Sequence, residues 1–278
     1  MALFSVFFLL FLASSSVTVS AAPCNPLCYH KSKAGYFPLS KTVITSGACG
    51  YGSLAKGFNK GYIASGIPSL LGEKGVACGS CLHVTCKNKT LCRGKGTVVV
   101  LTNSLKQAKN NSDTDLILSD RAYISMAAKG KAEELLALKT VEVEYIRVPC
   151  EYKSHNVSVR VDESSKKPER LVLTFLYQGG QTGIYMVTVY AQNNFTRIER
   201  DMDRIYGAVW EMKEVPQGSL SFRLFVYNGY DRSFVFSNKD LPADWKVGEI
   251  YDLGVQMNDI MDKRDGCTPN CTDGQVDQ

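Results

Sequence analysis

The sequence contains few of the side chains that metal, redox and nucleic-acid chemistry require. Histidine occurs three times in 278 residues, at His30, His83 and His155, without the paired spacing of metal ligands. The 32 basic and 27 acidic residues give a net charge of +5, and no lysine- and arginine-rich cluster interleaves with aromatic residues. These shortages predict no metal, no cofactor and no nucleic-acid partner, while the mild basic excess suits loose attraction to acidic polymers.

Long apolar segments are absent after residue 22. Residues 1–22 contain an apolar run followed by small residues, with Ser20 and Ala22 at the −3 and −1 positions of a cleavage site. The run is too short to span about 30 Å of hydrocarbon, so we interpret 1–22 as a signal peptide. The mature protein is then expected to be secreted, without a membrane span. Five N-x-S/T sequons are candidates for N-glycosylation: Asn88, Asn110, Asn156, Asn194 and Asn270.

Ten cysteines follow the leader, and an even count in an exported chain indicates disulfides. Six lie between Cys49 and Cys150, none lies between Cys150 and Cys267, and pairs stand at the two ends of the chain. A disulfide-dense half and a disulfide-free half predict two domains with different stabilising strategies. We expect domains over 23–152 and 153–256, followed by a polar tail over 257–278.

Both halves are predicted to be mainly β-structure. In the first half, strands are predicted at Thr97–Thr102 and Val141–Val148, where apolar and charged residues alternate in the second. Between them, Ser119 can cap a short helix, and another follows Gly130. The second half repeats short strands between polar turns, as in an antiparallel sandwich of about 100 residues. These strands are expected at 157–161, 171–177, 184–190, 220–227 and 233–237.

The order of the cysteine and glycine motifs resembles the expansin superfamily. In the first half the matching segments are GACGYG (47–52), CGSCLHVTC (78–86), Cys92 and RVPC (147–150). In the second half, which is similar to the expansin carbohydrate-binding domain, they are FLYQGGQTGI (175–184), YGAVW (206–210), VPQGSLSFRL (215–224) and LPADWKVGEIYD (241–252). Segments such as SKAGYF and EYIRVPCEYK are similar to the plant expansin-like A subgroup.

This resemblance implies a mainly all-β fold, with a six-stranded double-psi β-barrel related to family 45 glycosidases, followed by an immunoglobulin-like β-sandwich. It also implies the disulfides Cys49–Cys78, Cys81–Cys150 and Cys86–Cys92. Four cysteines lie outside this set, and they can pair locally or tie the N-terminus to the tail: Cys24, Cys28, Cys267 and Cys271.

Glycoside hydrolysis normally uses two carboxylates, one to protonate the leaving oxygen and one to activate water or attack. At the two positions where the resemblance places them, this chain has Asn103 and Ile117. Neither transfers a proton, although Asn103 can donate a hydrogen bond to a sugar. We therefore expect no enzyme. Asp115 is expected to face the other way on its strand, yet with Asp113 it remains an alternative acid pair, and it stays among the polysaccharide-contacting candidates.

Aromatic side chains are the other candidates, because coplanar exposed rings pack on the C–H faces of sugars. The threonine-aromatic-tyrosine motif of expansins is replaced by AGYF (34–37), with Gly35 at the position of the threonine. Trp245 is interpreted as structural. The remaining candidates are Tyr36, Tyr51 and Tyr62 in the first half and Trp210, Tyr206 and Tyr177 in the second.

Three functions are open at this point. The leading prediction is a secreted, monomeric plant cell-wall protein that binds cellulose, xyloglucan or pectin without hydrolysing it and takes part in wall loosening or remodelling. The first alternative is a cryptic glycoside hydrolase or transglycosylase that uses Asp113 and Asp115. The second alternative is a stress- or allergen-like interaction protein in which sugar binding is vestigial.

Overall fold

A computed structural model describes residues 29–40, 47–105, 114–181, 183–192, 197–227 and 232–258. Several sequence predictions lie outside these ranges and stay predictions: the signal peptide, the tail beyond 258, Asp113, the four outer cysteines and the sequons at Asn110, Asn194 and Asn270.

The described residues form fourteen strands and a few short helices. The first six strands are β1 (His30–Phe37), β2 (Ile63–Gly66), β3 (Cys81–Cys86), β4 (Thr97–Ser104), β5 (Thr114–Ser119) and β6 (Thr140–Val148). The others are β7 (Ser158–Val161), β8 (Arg170–Leu176), β9 (Gly183–Gln192), β10 (Arg197–Tyr206), β11 (Val209–Lys213), β12 (Leu220–Tyr227), β13 (Arg232–Phe236) and β14 (Ile250–Asp252). The helices are α1 (Pro68–Leu71), α2 (Asp120–Ser125) and α3 (Ala132–Ala137), with 3-10 segments at Gly52–Gly61 and Glu73–Gly75.

The first six strands close into a barrel in the order β1-β5-β2-β4-β3-β6. The pairs β1/β5 and β2/β4 are parallel and the others antiparallel, so the chain crosses the barrel instead of meandering around it. Residues of alternate positions fill the interior, among them Ala34, Val84, Leu116 and Leu118, all fully buried. Helices α2 and α3 pack against this core through Tyr123 and Leu135.

The remaining eight strands form one curled sheet in the order β13-β12-β9-β10-β11-β8-β7-β14. Its two halves enclose a second core around Phe175, Phe222, Trp210 and Leu173. The architecture is therefore the double-psi β-barrel followed by a β-sandwich that the resemblance implied. The domain limits given above stay a prediction.

Backbone contacts bring the barrel and the sandwich together. The Gly207 N–H donates to the carbonyl of Lys74 at 2.7 Å, and the Ala208 N–H donates to Cys49 at 3.1 Å. Cys150 exchanges both backbone hydrogen bonds with Gly180, at 2.8 and 2.9 Å. These bonds surround a third apolar cluster that contains residues of both halves, so the seam is a packed interface rather than a loose linker.

The three disulfides implied by the resemblance are present. Cys49–Cys78, Cys81–Cys150 and Cys86–Cys92 are bonded with Cα–Cα distances of 5.5, 5.3 and 6.0 Å. Loop closure of this kind stabilises a small domain by about 2–4 kcal/mol per bond. All three lie in the barrel or at its junction with the sandwich. Cys150 marks that junction, since it pairs with Gly180.

The ends of the predicted strands lie within two residues of the observed ends, and the Ser119 hydroxyl caps α2 by accepting from the Ala122 N–H at 3.3 Å. Strand β10 was missed. Its residues RIERDMDRIY contain two inward apolar side chains, Ile198 and Met202, whereas Arg204 lies over the Trp210 ring and obscures the apolar period.

Two further findings concern the described ranges as a whole. No helix in them combines the length and apolarity needed to cross a membrane. In the same ranges, histidine, cysteine, aspartate and glutamate nowhere form a group of three suited to a metal ion.

Candidate functional site

Four residues form a row across four neighbouring strands of the barrel. Gly35 of β1 is the register partner of Ile117 in β5, Ile117 is the partner of Ser65 in β2, and Ser65 is the partner of Asn103 in β4. Register partners share one side of a sheet, and the residues next to them, such as Leu116 and Leu118, fill the interior. The two positions expected to hold catalytic carboxylates thus lie in one row on the outside of the barrel.

The row is uncharged, and its first two members fit each other. The Cδ1 atom of Ile117 lies 3.0 Å from the place that a Cβ atom at position 35 would occupy. A threonine at position 35 would therefore crowd the isoleucine at position 117. The two departures from the expansin motifs, glycine for threonine and isoleucine for aspartate, are spatially coupled.

Asn103 is held by the backbone of the segment before the first 3-10 helix. Its Oδ1 atom accepts hydrogen bonds from the Ala48 N–H at 2.8 Å and the Ser104 N–H at 2.9 Å. With the oxygen engaged in this way, the amide nitrogen is the group left to donate to a sugar hydroxyl. Gly47 makes this approach possible, because a Cβ atom there would lie 2.9 Å from the same oxygen.

An open cleft of about 640 Å³ lies at the end of the barrel where β5 passes into α2. Its described lining residues are Leu39, Ser40, Lys56, Tyr62, Asp120, Arg121, Ile124 and Ser125.

Asp120 is the one carboxylate among these described lining residues, and its Oδ1 atom accepts from the backbone N–H groups of Leu39 and Arg121. The Arg121 guanidinium donates to the Lys60 carbonyl at 2.7 Å. Two-carboxylate glycoside hydrolysis needs a second acid, which the described lining does not supply.

Asp115 points toward a different part of the barrel. Its Oδ2 atom accepts a hydrogen bond from the Tyr145 hydroxyl at 3.0 Å, and Tyr145 is buried among the barrel core residues. Burial and the Asp115 charge both raise the pKa of Tyr145. Simple alternation would put residues 115 and 117 on one side, but the β1/β5 register shifts between Lys33 and Ala34. Asp115 lies at this register shift, between the paired residues Thr114 and Leu116, and is not part of the row. We therefore do not assign it a sugar contact.

Two of the barrel tyrosines are packing residues. Tyr51 is 3 % exposed, its ring lies edge-on to Phe58 at 4.8 Å, and burial raises its pKa. Tyr36 packs on Tyr123 at 4.9 Å beside the helices that cover the barrel. The prediction that Tyr51 offers a ring face to a sugar is wrong, because neighbouring side chains cover the ring. Tyr36 is only partly buried, so its contact with a sugar stays a prediction.

Trp210 is also a core residue. It is 2 % exposed, and the Arg204 guanidinium covers its ring at 4.2 Å from the ring centroid. Arg204 donates to the carbonyls of Gly207 and Ile184, and burial lowers its pKa to about 10. The prediction that Trp210 contacts polysaccharide is therefore wrong. Trp245, 6 % exposed with the Lys167 ammonium over its ring, is structural as expected.

Tyr206 is the aromatic candidate that remains exposed, at 38 % of its surface. It ends β10 at the seam, and its Cε2 atom lies 3.4 Å from the Cβ position of Gly50. Gly50 belongs to the segment whose Ala48 N–H holds Asn103, so the row and Tyr206 are joined by residues 47–50. Tyr177 is half-buried, and its ring contacts Phe58, Tyr152 and His155.

With this geometry in view, comparison with known proteins gives consistent results. A family model described as the expansin C-terminal domain matches residues 157–239. Expansin-like A2 of Arabidopsis thaliana is 46 % identical over 91 % of this chain and 92 % of its own length. Expansin-like A3 of Oryza sativa subsp. japonica is 39 % identical over 90 % and 89 %. This chain belongs to the expansin family. Its similarity to these relatives places it with the expansin-like A proteins.

Solved expansin structures share the two-part fold. The apo expansin of Clavibacter michiganensis matches with a TM-score of 0.60 at 18 % identity, covering 82 % of this chain and 97 % of that chain. A mutant of the same expansin in complex with cellohexaose matches with a TM-score of 0.58 at 18 % identity, covering 81 % and 95 %. At 18 % identity this similarity shows only that the fold is shared.

Sequence reasoning missed Ser65 and the glycines of the seam. Ser65 lies in a short strand, and its place between Ile117 and Asn103 depends on pairing across three strands. The sequence does contain a pattern that predicts the burial of Trp210. In WEMK (210–213) apolar and charged residues alternate, which is the period of a strand with Trp210 and Met212 on its inner side.

Proposed function

We propose that the chain is a secreted cell-wall protein that binds wall polysaccharide without hydrolysing it. The ligand contacts the barrel along Gly35, Ile117, Ser65 and Asn103, and it extends over the seam to Tyr206. Through this contact the protein takes part in wall loosening or remodelling. Its membership of the expansin family supports this assignment, and so does the cellohexaose complex of the bacterial expansin.

One observation carries the non-hydrolytic part of the proposal: the row that spans four strands has no carboxylate. Ile117 neither donates nor accepts a proton, and Asn103 offers an amide whose oxygen is already engaged. The carboxylates of Asp120 and Asp115 lie outside the row and accept hydrogen bonds, Asp120 from backbone N–H groups and Asp115 from the Tyr145 hydroxyl. An uncharged row suits a neutral sugar chain, since burying an unpaired charge under a ligand is costly.

The choice of polymer among cellulose, xyloglucan and pectin follows from charge. The row itself is neutral, whereas Lys56 and Arg121 line the cleft at the end of β5. We therefore propose a neutral β-glucan as the main ligand, with acidic polymers held more weakly and released by salt.

Sedimentation with insoluble cellulose and affinity electrophoresis in xyloglucan and pectin test the proposal. We expect retention by the neutral polymers, no reducing-sugar release after prolonged incubation, and roughly tenfold weaker binding in Tyr206→Ala. Ile205→Ala is the matched control, because Ile205 is 40 % exposed in the same strand but not aromatic. Retention that survives Tyr206→Ala unchanged would remove the seam from the binding surface.

The hydrolytic alternative has its own arm in this experiment. Product release that disappears in Asp120→Asn, Asp113→Asn or Asp115→Asn would identify an acid and contradict the proposal. The same variants should bind like the parent protein if the row carries binding alone. Negligible retention on every polysaccharide would instead favour the interaction-protein alternative.

A further inference from the structure

The outer surface of β9, β12 and β13 carries aromatic side chains away from the barrel row. Residues of β12 alternate between buried and half-exposed, and those of β13 pair with them in register, so their outward side chains share one side. Phe234 is 51 % exposed and Phe236 is 55 % exposed. We call this surface the aromatic face; its rings are Tyr185, Tyr190, Phe225, Tyr227, Phe234 and Phe236.

The rings of the aromatic face contact one another across the strands. Phe225 and Phe234 are register partners with ring centroids 5.3 Å apart, and Tyr185 meets Tyr227 at 5.5 Å. All four rings belong to strands, and their mutual contacts hold them in place before a ligand binds. A ligand that packs on them therefore loses little side-chain freedom of the protein on binding.

Arg223 organises the centre of the aromatic face. Its guanidinium carbon lies 5.3 Å from the ring centroids of both Tyr190 and Phe234. Its Nη2 atom donates to Glu199 Oε1 at 2.8 Å, and the Tyr190 hydroxyl donates to the same oxygen at 3.1 Å. A planar guanidinium and a carboxylate held between aromatic rings are the groups that bind sugar hydroxyls while the rings cover C–H faces.

The charges of this surface indicate a neutral ligand. Arg223 is balanced by Glu199, and Asp201 accepts from the Thr188 hydroxyl beside them at 2.7 Å. Arg232 lies over the Tyr227 ring at 5.9 Å. The carboxylates at least match the two guanidinium groups, so this surface has no positive excess to attract a polyuronate or another polyanion.

We propose that the aromatic face is a second polysaccharide-binding surface, which takes a neutral glycan chain across β12 and β13. Phe234 and Phe236 pack on sugar ring faces, and Arg223 with Glu199 binds hydroxyl groups. The proposal goes beyond the barrel row and Tyr206, with which this surface shares no residue. A protein with two such surfaces holds two glycan chains at once, so it links polymers in addition to binding them.

The test is titration of the full-length protein with cellohexaose, followed by a polymer-linking assay with xyloglucan. We expect two sites per chain in the parent protein and one in Phe234→Ala/Phe236→Ala, with affinity at the lost site reduced at least tenfold. Arg223→Lys keeps the charge but loses the planar fork, and we expect it to weaken the same site several-fold. The parent protein should raise the viscosity of xyloglucan, and the double variant should not.

Matched controls separate this proposal from the one above. Leu138→Ala removes an apolar side chain of similar exposure, 46 %, from the end of α3 and should change nothing. Tyr206→Ala should lose the other site and keep this one. Two sites left intact in Phe234→Ala/Phe236→Ala would overturn the inference while the barrel proposal stands. A doubled mass in solution that this variant restores to one chain would also overturn it, because a second copy would then cover the face.

Discussion

Gly35 and Ile117 are register partners in the barrel, and the Cδ1 atom of Ile117 lies 3.0 Å from where a Cβ atom at position 35 would stand. The motif of other expansins has a threonine and an aspartate at these two places. Relative to that motif this row has an apolar pair, and the absence of a side chain at Gly35 leaves the space that Ile117 occupies.

This contact predicts that the effect of Gly35→Ala on stability depends on the residue at position 117. Gly35→Ala should be neutral or destabilising in the parent protein, because the added methyl group meets Ile117 at 3.0 Å. In Ile117→Val, which removes Cδ1, the same substitution should stabilise by about 0.4–1 kcal/mol through loss of unfolded-state entropy. Urea unfolding of the four proteins measures the coupling. Additive effects would show that the two residues are independent.

The fold follows from the sequence more fully than the site does. Strands such as β4 and β6 have clear apolar alternation, and the motif resemblance supplied the disulfides and the topology. The row could not be found in this way, since it depends on register across four strands and on an irregularity beside Asp115. An alternation rule applied along one strand has no information about either.

Aromatic side chains are the second place where local sequence falls short. A tyrosine between two glycines has the same pattern whether it packs inward or outward, and Tyr51 packs inward on Phe58. The binding candidates drawn from the sequence do not include Phe234 and Phe236, although the alternation of RSFVF places both on the side opposite the buried Val235. Deciding which side is outward required knowledge of what the sheet packs against.

Trp210→Ala should destabilise the sandwich rather than abolish binding directly. The substitution leaves a cavity beside Phe175 and removes the ring that Arg204 covers. Loss of a buried tryptophan costs about 3–5 kcal/mol. Denaturant unfolding should show this loss, whereas retention on cellulose at a temperature where the variant is folded should match the parent. Lost retention in the folded variant would restore Trp210 as a ligand.

Alkaline pH should unfold the protein through its buried tyrosines. Burial raises the pKa of Tyr123 to about 12 and also raises the pKa values of Tyr51, Tyr145 and Tyr152. The folded state therefore retains protons that the unfolded state loses above about pH 10, so their stabilisation is complete below pH 10 and falls as pH rises toward 12. Arg204, whose pKa is lowered to about 10, and Arg147, whose pKa is also lowered by burial, act in the opposite sense, but these two groups stand against four tyrosines.

Tyr123→Phe isolates one of these tyrosines. Its buried hydroxyl has no hydrogen-bond partner among the described residues, so its removal should leave stability at pH 7 unchanged or slightly increased. Between pH 9 and 12 the unfolding free energy should fall less steeply with pH in the variant. The difference in slope should correspond to close to one proton. An identical slope in both proteins would show that Tyr123 ionises equally in the folded and unfolded chains.

The seam between barrel and sandwich should be sensitive to a single methyl group at Gly207. A Cβ atom there would lie 2.5 Å from both the Ala48 carbonyl oxygen and the Cys49 Cα atom, and the glycine has φ +52°. Backbone atoms cannot rotate away, so Gly207→Ala must separate the two halves or strain the turn, at a cost of about 1–3 kcal/mol. Gly57→Ala is the control, because no atom of the described residues lies within 4 Å of its added methyl group. Since Gly207 follows Tyr206, Gly207→Ala should weaken binding to cellulose as well as stability. Equal unfolding free energies of Gly207→Ala and Gly57→Ala would mean that this contact does not hold the two halves together.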